Sequence, residues 1–413
     1  MYESFITLLA VAALLTFINI KFLKLPTTIG LMILGMCLSC FLLIVRHFDY
    51  ELFVKLPHIL DELDFHDFLM NILLSFLLFA GAVHIDIKTL DAVRLPVFVF
   101  AIIGTIISTF IIGYLTYFVF GLLGLNIPLL HCMLFGALIS PTDPIAVLAI
   151  FKNYHFKKTL SVKIEGESLF NDGIGIVVFV TIIQLIMGDE RGFSIEETGL
   201  LFLREAVGGI LFGLLLGFCG LFFLKRLKKD PKTAVIITLV IATGGYAIAN
   251  TLEVSGALAM VAAGLTIGNW IHKYAGIETK TLISTFWEII GEIFNSMVFV
   301  MMGLAILLID PIAIDFVAAI FTIIIVLIGR FISVFISRFI VRHNKFSKPW
   351  YSLKYTTVMT WSGLRGALAF ALALSITPDL NGHFIIFLTY SVAAFSIIVQ
   401  GLTIGKLVKK FKI

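Results

Sequence analysis

The chain has 413 residues, of which 60% are hydrophobic and 14% are charged, and its formal net charge is +4. Its mean hydropathy is +1.08. Water-soluble domains carry far more charge, so this composition excludes a soluble fold and predicts a polytopic membrane protein. The four cysteines all lie in apolar runs, where thiols behave as small hydrophobes, and we expect no metal cluster, disulfide framework or cofactor.

Apolar runs near the length of about 20 residues that crosses a bilayer occur thirteen times along the chain. Because the connections are short, residues 1–413 are predicted to form one all-α unit embedded in the lipid bilayer. The eighth and ninth runs almost touch at Glu253. The runs cover residues 4–21, 27–45, 67–85, 96–120, 129–151, 164–187, 205–224, 233–252, 254–271, 284–308, 311–335, 355–376 and 383–405.

The basic residues are distributed unevenly over the alternate loops. If the Lys-rich C-terminus is cytoplasmic, 24 of the 30 Lys and Arg residues fall on the cytoplasmic side, four fall outside and two lie within spans. Cytoplasmic loops carry the excess of Lys and Arg, so we expect an outside N-terminus and a cytoplasmic C-terminus in the cell (inner) membrane. Every basic cluster flanks a span, which indicates a topology signal, and no binding to nucleic acid is expected.

The fifth run contains Ser140-Pro-Thr-Asp-Pro144 near its middle. Two prolines remove backbone donors and disfavour helix in the residues before them, so we expect this helix to break at the bilayer centre. Broken helices at that depth build ion sites in secondary transporters. Asp143 could therefore bind an ion, or it could compensate the exposed amide ends of the broken helix.

The sixth run begins with Glu165-Gly-Glu-Ser-Leu-Phe-Asn-Asp-Gly-Ile-Gly175. Ionisable groups inside a span are costly and usually mark an ion path, a proton relay or a buried pair. Helical spacing puts Ser168 beside Asp172 on one face, and Glu167 beside Asn171 on another. Glu165 and Glu167 could instead form a hydrated helix start.

Three segments resemble signature motifs of Na⁺/H⁺ antiporters of the monovalent cation/proton antiporter superfamily. They are Pro-Thr-Asp-Pro at 141–144, Gly-Glu-Ser-Leu-Phe-Asn-Asp at 166–172 and Ser-Gly-Leu-Arg-Gly-Ala-Leu-Ala-Phe at 362–370. The chain most resembles the prokaryotic branch with an Asn-Asp pair, which is similar to the animal Na⁺/H⁺ exchangers.

The resemblance implies a homodimer of protomers that each combine a dimerisation domain with a mobile core in which two broken helices cross. The fifth run and the Gly-interrupted twelfth are seven runs apart, so a repeat of six spans must be inverted. By analogy with the family, residues 67–187 and 284–405 form the core, and residues 4–45 and 205–271 form the dimerisation helices.

The same resemblance implies the roles of single residues. Asp172 matches the carboxylate that binds either a cation or a proton, and Ser168 and Thr142 match positions that add oxygen ligands for Na⁺. Asn171 matches the neutral residue that is a second aspartate in other branches.

Three further residues are implied to be structural. Glu167 and Arg330 match a buried ion pair between the sixth and eleventh helices, although Arg330 could instead extend to the cytoplasmic surface. Arg365 matches the arginine that neutralises the crossing region.

The sequence departs from the family in the third run. Family members often carry a glutamate there, whereas this chain has Phe79-Ala80-Gly81. A cation site with fewer carboxylates leaves the preference for Na⁺ open. In the tenth run, Glu288 is interpreted as a helix-start residue and Asn295 as an interhelical hydrogen bonder.

The sequence therefore predicts electroneutral exchange of one Na⁺ or Li⁺ for one proton by elevator-like alternating access. A K⁺/H⁺ antiporter on the same scaffold is the nearest alternative, followed by a cation channel. No enzymatic activity is expected. Asp143 and Asp172 could in principle form the dyad of an intramembrane aspartyl protease, but they lack its Gly-x-Gly-Asp setting.

Overall fold

The computed structural model describes residues 2–48, 72–152, 158–187, 195–226, 230–308, 312–341 and 352–411, and these are almost entirely helical. Each predicted run coincides with one helix or one pair of half-helices, the third being described only from residue 72. Nine helices of this described part are long and apolar enough to cross a membrane. The segments are α1 (Tyr2–Ile18), α2 (Thr27–Phe48), α3 (Leu74–His84), α4 (Ile87–Leu122), α5a (Leu129–Ile139), α5b (Ile145–Lys152), α6 (Lys158–Met187), α7 (Ile195–Arg226), α8 (Pro231–Thr251), α9 (Gly256–Tyr274), α10 (Ile277–Leu304), α11 (Ala313–Val341), α12a (Leu353–Trp361), α12b (Ala367–Leu374) and α13 (Gly382–Phe411).

α8 and α9 are separate helices although only a few residues connect them. Glu253 adopts a positive φ of 53°, which the helical backbone does not permit. Two residues later, the Ser255 hydroxyl accepts a hydrogen bond from the Leu258 N–H at 3.3 Å and so caps α9. The eighth and ninth runs are therefore two helices, as predicted.

Several helices extend beyond the apolar runs that predicted them. α4 begins at Ile87, where the Asp86 side chain accepts a hydrogen bond from the Lys88 N–H at 3.0 Å. α6 begins at Lys158 rather than at residue 164, so Lys163 is a helical residue and not the loop residue that the charge count assumed. Hydropathy marks only the part of a helix that crosses hydrocarbon, whereas the backbone stays helical through its polar end.

The two broken helices cross at their extended segments, as the family resemblance implies. The Asp143 N–H donates a hydrogen bond to the Leu364 carbonyl at 2.8 Å, and the two residues form an isolated antiparallel bridge. Irregular backbone inside a membrane protein needs such internal partners, because no water is available in hydrocarbon. The fifth and twelfth segments are equivalent members of the two inverted six-helix repeats.

Close approaches between helices depend on small residues. A Cβ built on Gly35 of α2 would lie 3.0 Å from the Gly303 Cα of α10, and one built on Gly213 of α7 would lie 2.7 Å from the Ala259 Cα of α9. Without a hydrophobic force between helices in lipid, such contacts allow van der Waals packing and interhelical hydrogen bonds. One of these is the bond from the Ser39 hydroxyl to the Gly303 carbonyl at 2.9 Å.

Candidate cation site

Asp143 lies at the start of two half-helices. Its Oδ1 accepts a hydrogen bond from the Ile145 N–H at 2.8 Å, at the N-terminus of α5b. A Cβ built on Gly366, the residue before α12b, would lie 2.7 Å from the Asp143 Cγ. Helix N-termini carry a partial positive charge, which a carboxylate at this position offsets. Asp143 also lines the cavity described below, so both roles that the sequence left open remain proposals.

Two arginines lie at the opposite ends of the broken helices. Arg365 is 1% exposed, and its Nη1 donates to the carbonyls of Ser140 at 2.6 Å and Pro141 at 2.9 Å, just past α5a. Arg330 lies 3.5 Å from the Met359 carbonyl near the end of α12a. Helix C-termini carry a partial negative charge, so the two guanidinium groups offset the charge at the C-termini of α5a and α12a.

Arg330 also forms an ion pair with Glu167 across α6 and α11. The Arg330 Nη2 lies 2.6 Å from the Glu167 Oε1, and the two side chains are 6% and 2% exposed. The guanidinium is therefore inside the protein and does not extend to the surface, and Glu167 does not belong to a hydrated helix start. Charges buried to this degree need a close partner, which each supplies to the other.

Thr142 is fixed between two side chains of α6. The Ser168 hydroxyl donates to the Thr142 carbonyl, and the Asn171 Nδ2 donates to the Thr142 Oγ1 at 2.9 Å. All three residues are buried. Their arrangement brings two hydroxyl oxygens and one amide together at the crossing. Both hydroxyls retain lone pairs, because an oxygen of this type has two acceptor sites.

Asp172 lies one turn further along α6, on the wall of a cavity of about 890 Å³. Ser161, Glu165 and Ser168 line the same cavity, as expected for one helical face. Within the described part of the chain, the Asp172 carboxylate forms no hydrogen bond or ion pair and is half-buried. A carboxylate placed in this way can accept either a proton or a cation from the cavity.

The cavity is acidic. Five carboxylates line it and, among the described residues around it, neither Lys nor Arg does; the acids are Asp143, Glu165, Asp172, Glu288 and Glu292. The interpretation of Glu288 as a helix-start residue is wrong, because α10 begins at Ile277, about three turns earlier. Hydropathy could not identify Glu288 and Glu292 as cavity residues, because a polar helix face looks the same whether it meets a cavity or bulk water.

Lys163 is a buried charge that the sequence did not predict. It is fully buried one helical turn before Glu167, and its Nζ lies 3.6 Å above the centroid of the Phe100 ring. A cation over an aromatic face is stabilised by the ring quadrupole. The spacing of Lys163 and Glu167, four residues apart, was the available signal. Three buried charges, Lys163, Glu167 and Arg330, therefore lie where α6 packs against α4 and α11.

Comparison with known proteins decides the family. The model described as sodium/hydrogen exchanger, transmembrane, matches residues 8–410. The chain belongs to the sodium/hydrogen exchanger family. It is 40% identical to the Na⁺/H⁺ antiporter NhaP of Pseudomonas aeruginosa over 97% of this chain and 95% of that protein. It is 36% identical to the Na⁺/H⁺ antiporter NhaH of Halobacillus dabanensis over 94% of this chain and 93% of that protein.

A solved structure supports the same fold for this member of the exchanger family. The sodium proton antiporter MjNhaP1 from Methanocaldococcus jannaschii superposes with a TM-score of 0.75, covering 98% of this chain and 96% of that one at 23% identity. The resemblance that the three motifs indicated is thus confirmed, and so is the all-α fold with crossed broken helices.

Proposed function

We propose that this exchanger moves Na⁺ in one direction and H⁺ in the other, with Asp172 binding the two ions in turn. The observation that carries the proposal is the carboxylate of Asp172 on the cavity wall, one turn from Ser168 and the Thr142 contact. Carboxylate and hydroxyl oxygens are the ligands that hard cations prefer. Relatives similar over nearly the whole chain are named Na⁺/H⁺ antiporters, which supports the assignment.

The buried charges support exchange of one cation for one proton. Glu167 is paired with Arg330, Asp143 faces helix N-termini, and Asn171 is neutral. Asp172, whose carboxylate has no ion-pair partner among the described residues, is proposed to be the group whose charge changes during the cycle. Its bare carboxylate is costly in a low-dielectric region, whereas a proton or a Na⁺ cancels that charge. The core moves with either a proton or a Na⁺ bound to Asp172, and never with both. Each cycle therefore exchanges one positive charge for another and is electroneutral.

Alternating access is proposed to occur by movement of the core, residues 67–187 and 284–405, against residues 4–45 and 205–271. The cavity is lined by His84, Ser161 and Glu288, which lie at or near the end of α3, the start of α6 and the early turns of α10. By the distribution of Lys and Arg, these helix ends are cytoplasmic. These positions support an inward-facing state in the inner membrane. We further propose a homodimer formed through residues 4–45 and 205–271.

The test is ion-driven proton movement in everted membrane vesicles that carry a fluorescent pH dye. Addition of Na⁺ or Li⁺ should dequench the dye with the wild-type protein and should have no effect with Asp172→Asn, which preserves side-chain size but not charge. Retained exchange in the variant would refute the role of Asp172. A response to K⁺ alone would assign the protein as a K⁺/H⁺ antiporter instead.

A further inference from the structure

The last helix, α13, departs from α-helical geometry between Ser396 and Gln400. In this π-helical turn, the Gly401 N–H bonds to the Ser396 carbonyl, five residues before it rather than four. Single π-helical turns inside α-helices are rare and frequently lie at functional sites. Ser396 and Gln400 are both buried. Neither the three motifs nor the proposed cation site uses these residues.

The Ser396 hydroxyl reaches the neighbouring broken helix and not only its own. A Ser or Thr hydroxyl in a helix commonly bonds to a carbonyl one turn earlier, as the Ser391 hydroxyl of α13 does with the Phe387 carbonyl at 2.8 Å. The Ser396 Oγ instead accepts a hydrogen bond from the Arg365 N–H at 3.0 Å. Arg365 lies in the break of α12, where the helical hydrogen bonds are interrupted and the backbone needs other partners.

One peptide group connects Ser396 to the broken segment of α5. The N–H of the Leu364-Arg365 peptide donates to the Ser396 Oγ, and its carbonyl accepts a hydrogen bond from the Asp143 N–H at 2.8 Å. The N–H and the carbonyl of a trans peptide lie in one plane and point in opposite directions. The Ser396 hydroxyl therefore fixes the orientation of the carbonyl that holds the Asp143 backbone, and the two hydrogen bonds polarise one another.

The same two residues of α12 hold the backbone on both sides of Thr142. The Arg365 Nη1 donates to the carbonyls of the two residues before Thr142, at 2.6 and 2.9 Å. The Leu364 carbonyl holds Asp143, the residue after it. The position of the Thr142 oxygens relative to Asp172 therefore depends on how the Leu364-Arg365 peptide is held.

The inverted repeat shows the same arrangement a second time. α13 is the counterpart of α6, and in each repeat the helix that follows the broken helix bonds to its interrupted backbone. From α6, the Ser168 hydroxyl donates to the Thr142 carbonyl. From α13, Ser396 bonds to one side of the break, and the Gln400 Nε2 lies 3.4 Å from the Trp361 carbonyl on the other side. α13 contains neither Asp nor Glu, so its polar side chains are suited to holding the backbone.

We propose that Ser396 is a positioning residue for the cation site, which acts through the Leu364-Arg365 peptide to hold Thr142 at a distance from Asp172 that suits Na⁺. The proposal rests on the proposed function, in which hydroxyl oxygens near Asp172 help to bind the ion. A site that is already ordered binds its ligand more tightly than one that must be ordered on binding. A proton on Asp172 requires no contact with Thr142, so loss of the Ser396 hydroxyl weakens the binding of Na⁺ and not that of the proton.

Exchange kinetics in everted vesicles test this role with a matched control. Ser396→Ala should raise the Na⁺ concentration for half-maximal exchange by about threefold to tenfold, as expected for loss of one hydrogen bond, and should lower the maximal rate per folded protein much less. Ser391→Ala makes the same change in the same helix, where the hydroxyl bonds to a carbonyl of α13, and should leave that concentration unchanged. Ser396→Thr keeps the accepting oxygen and should restore the wild-type value.

A role in stability alone gives a different result. It reduces the amount of folded protein and leaves the Na⁺ concentration for half-maximal exchange at the wild-type value, and that outcome for Ser396→Ala would overturn the proposal. If Ser396→Ala does not accumulate in the membrane, Ser396→Cys replaces it, since a thiol is close in size but a weaker acceptor; a wild-type value there would be equally decisive. Exchange retained in Asp172→Asn refutes the proposed function, whereas exchange lost there with unchanged Na⁺ dependence in Ser396→Ala refutes only the positioning role.

Discussion

Replacing Glu167 with Gln should destabilise the protein more than replacing Arg330 with Met, because a third buried charge lies beside their ion pair. Removal of one partner from a buried pair typically costs about 3–5 kcal/mol. Glu167→Gln removes the carboxylate that pairs with Arg330 and that lies one helical turn from the buried cation of Lys163, so we expect the upper end of that range. Arg330→Met leaves Lys163 one turn from Glu167, so we expect the lower end. The additional contact of Arg330 with the Met359 carbonyl is 3.5 Å long and adds little.

The free energy of unfolding of each purified variant would be measured by titration with sodium dodecyl sulphate in mixed micelles. The matched control is Asp91→Asn, which breaks the ion pair of Asp91 with Arg94, whose side chains are 67% and 72% exposed. An exposed pair of this kind contributes about 0–1 kcal/mol. If both buried variants cost no more than this control, the buried pair does not stabilise the core. Equal costs for the two buried variants would refute the role of Lys163.

Three further variants test the geometry of the crossing and of the cavity. Asp143→Asn should retain exchange better than Asp143→Ala in the vesicle assay, because only the amide oxygen can still accept the Ile145 N–H; equal loss would indicate direct ion contact. Gly363→Ala should lower thermal stability and exchange, since its Cβ would lie 2.8 Å from the Arg330 Nε, whereas Gly244→Ala, whose Cβ would meet no described atom beyond its own helix backbone within 4 Å, should lower neither. Ala80→Glu should lower the Na⁺ concentration for half-maximal exchange by adding a carboxylate to the cavity, and an unchanged value would contradict cation binding in this cavity.

The sequence predicted those parts of the molecule that depend on local patterns. Apolar length located each span, two prolines located the break around Asp143, and the helical period placed Ser168 and Asp172 on one face. The pairing of Glu167 with Arg330 came from the family resemblance, and in the structure the two side chains are in contact.

The parts that the sequence did not predict depend on what a polar residue faces. Lys163 was assigned to a loop because a charged residue interrupts an apolar run, yet the helix continues through it and buries it against Phe100. Glu288 and Glu292 were not recognised as cavity residues, since only the packing of α10 against α2 and α3 turns that helix face towards Asp172. Helical period gives the face of a residue but not the identity of its neighbour.

The central claim is that a proton and a Na⁺ compete for Asp172. It is tested most directly by adding Na⁺ to the purified protein in a weakly buffered detergent solution and measuring the protons released. The account predicts release approaching one proton per protomer at saturating Na⁺ in the wild type, at a pH low enough that Asp172 is protonated before Na⁺ is added, and none in Asp172→Asn. Wild-type protein that binds Na⁺ without releasing protons, or a variant that still releases them, would contradict it.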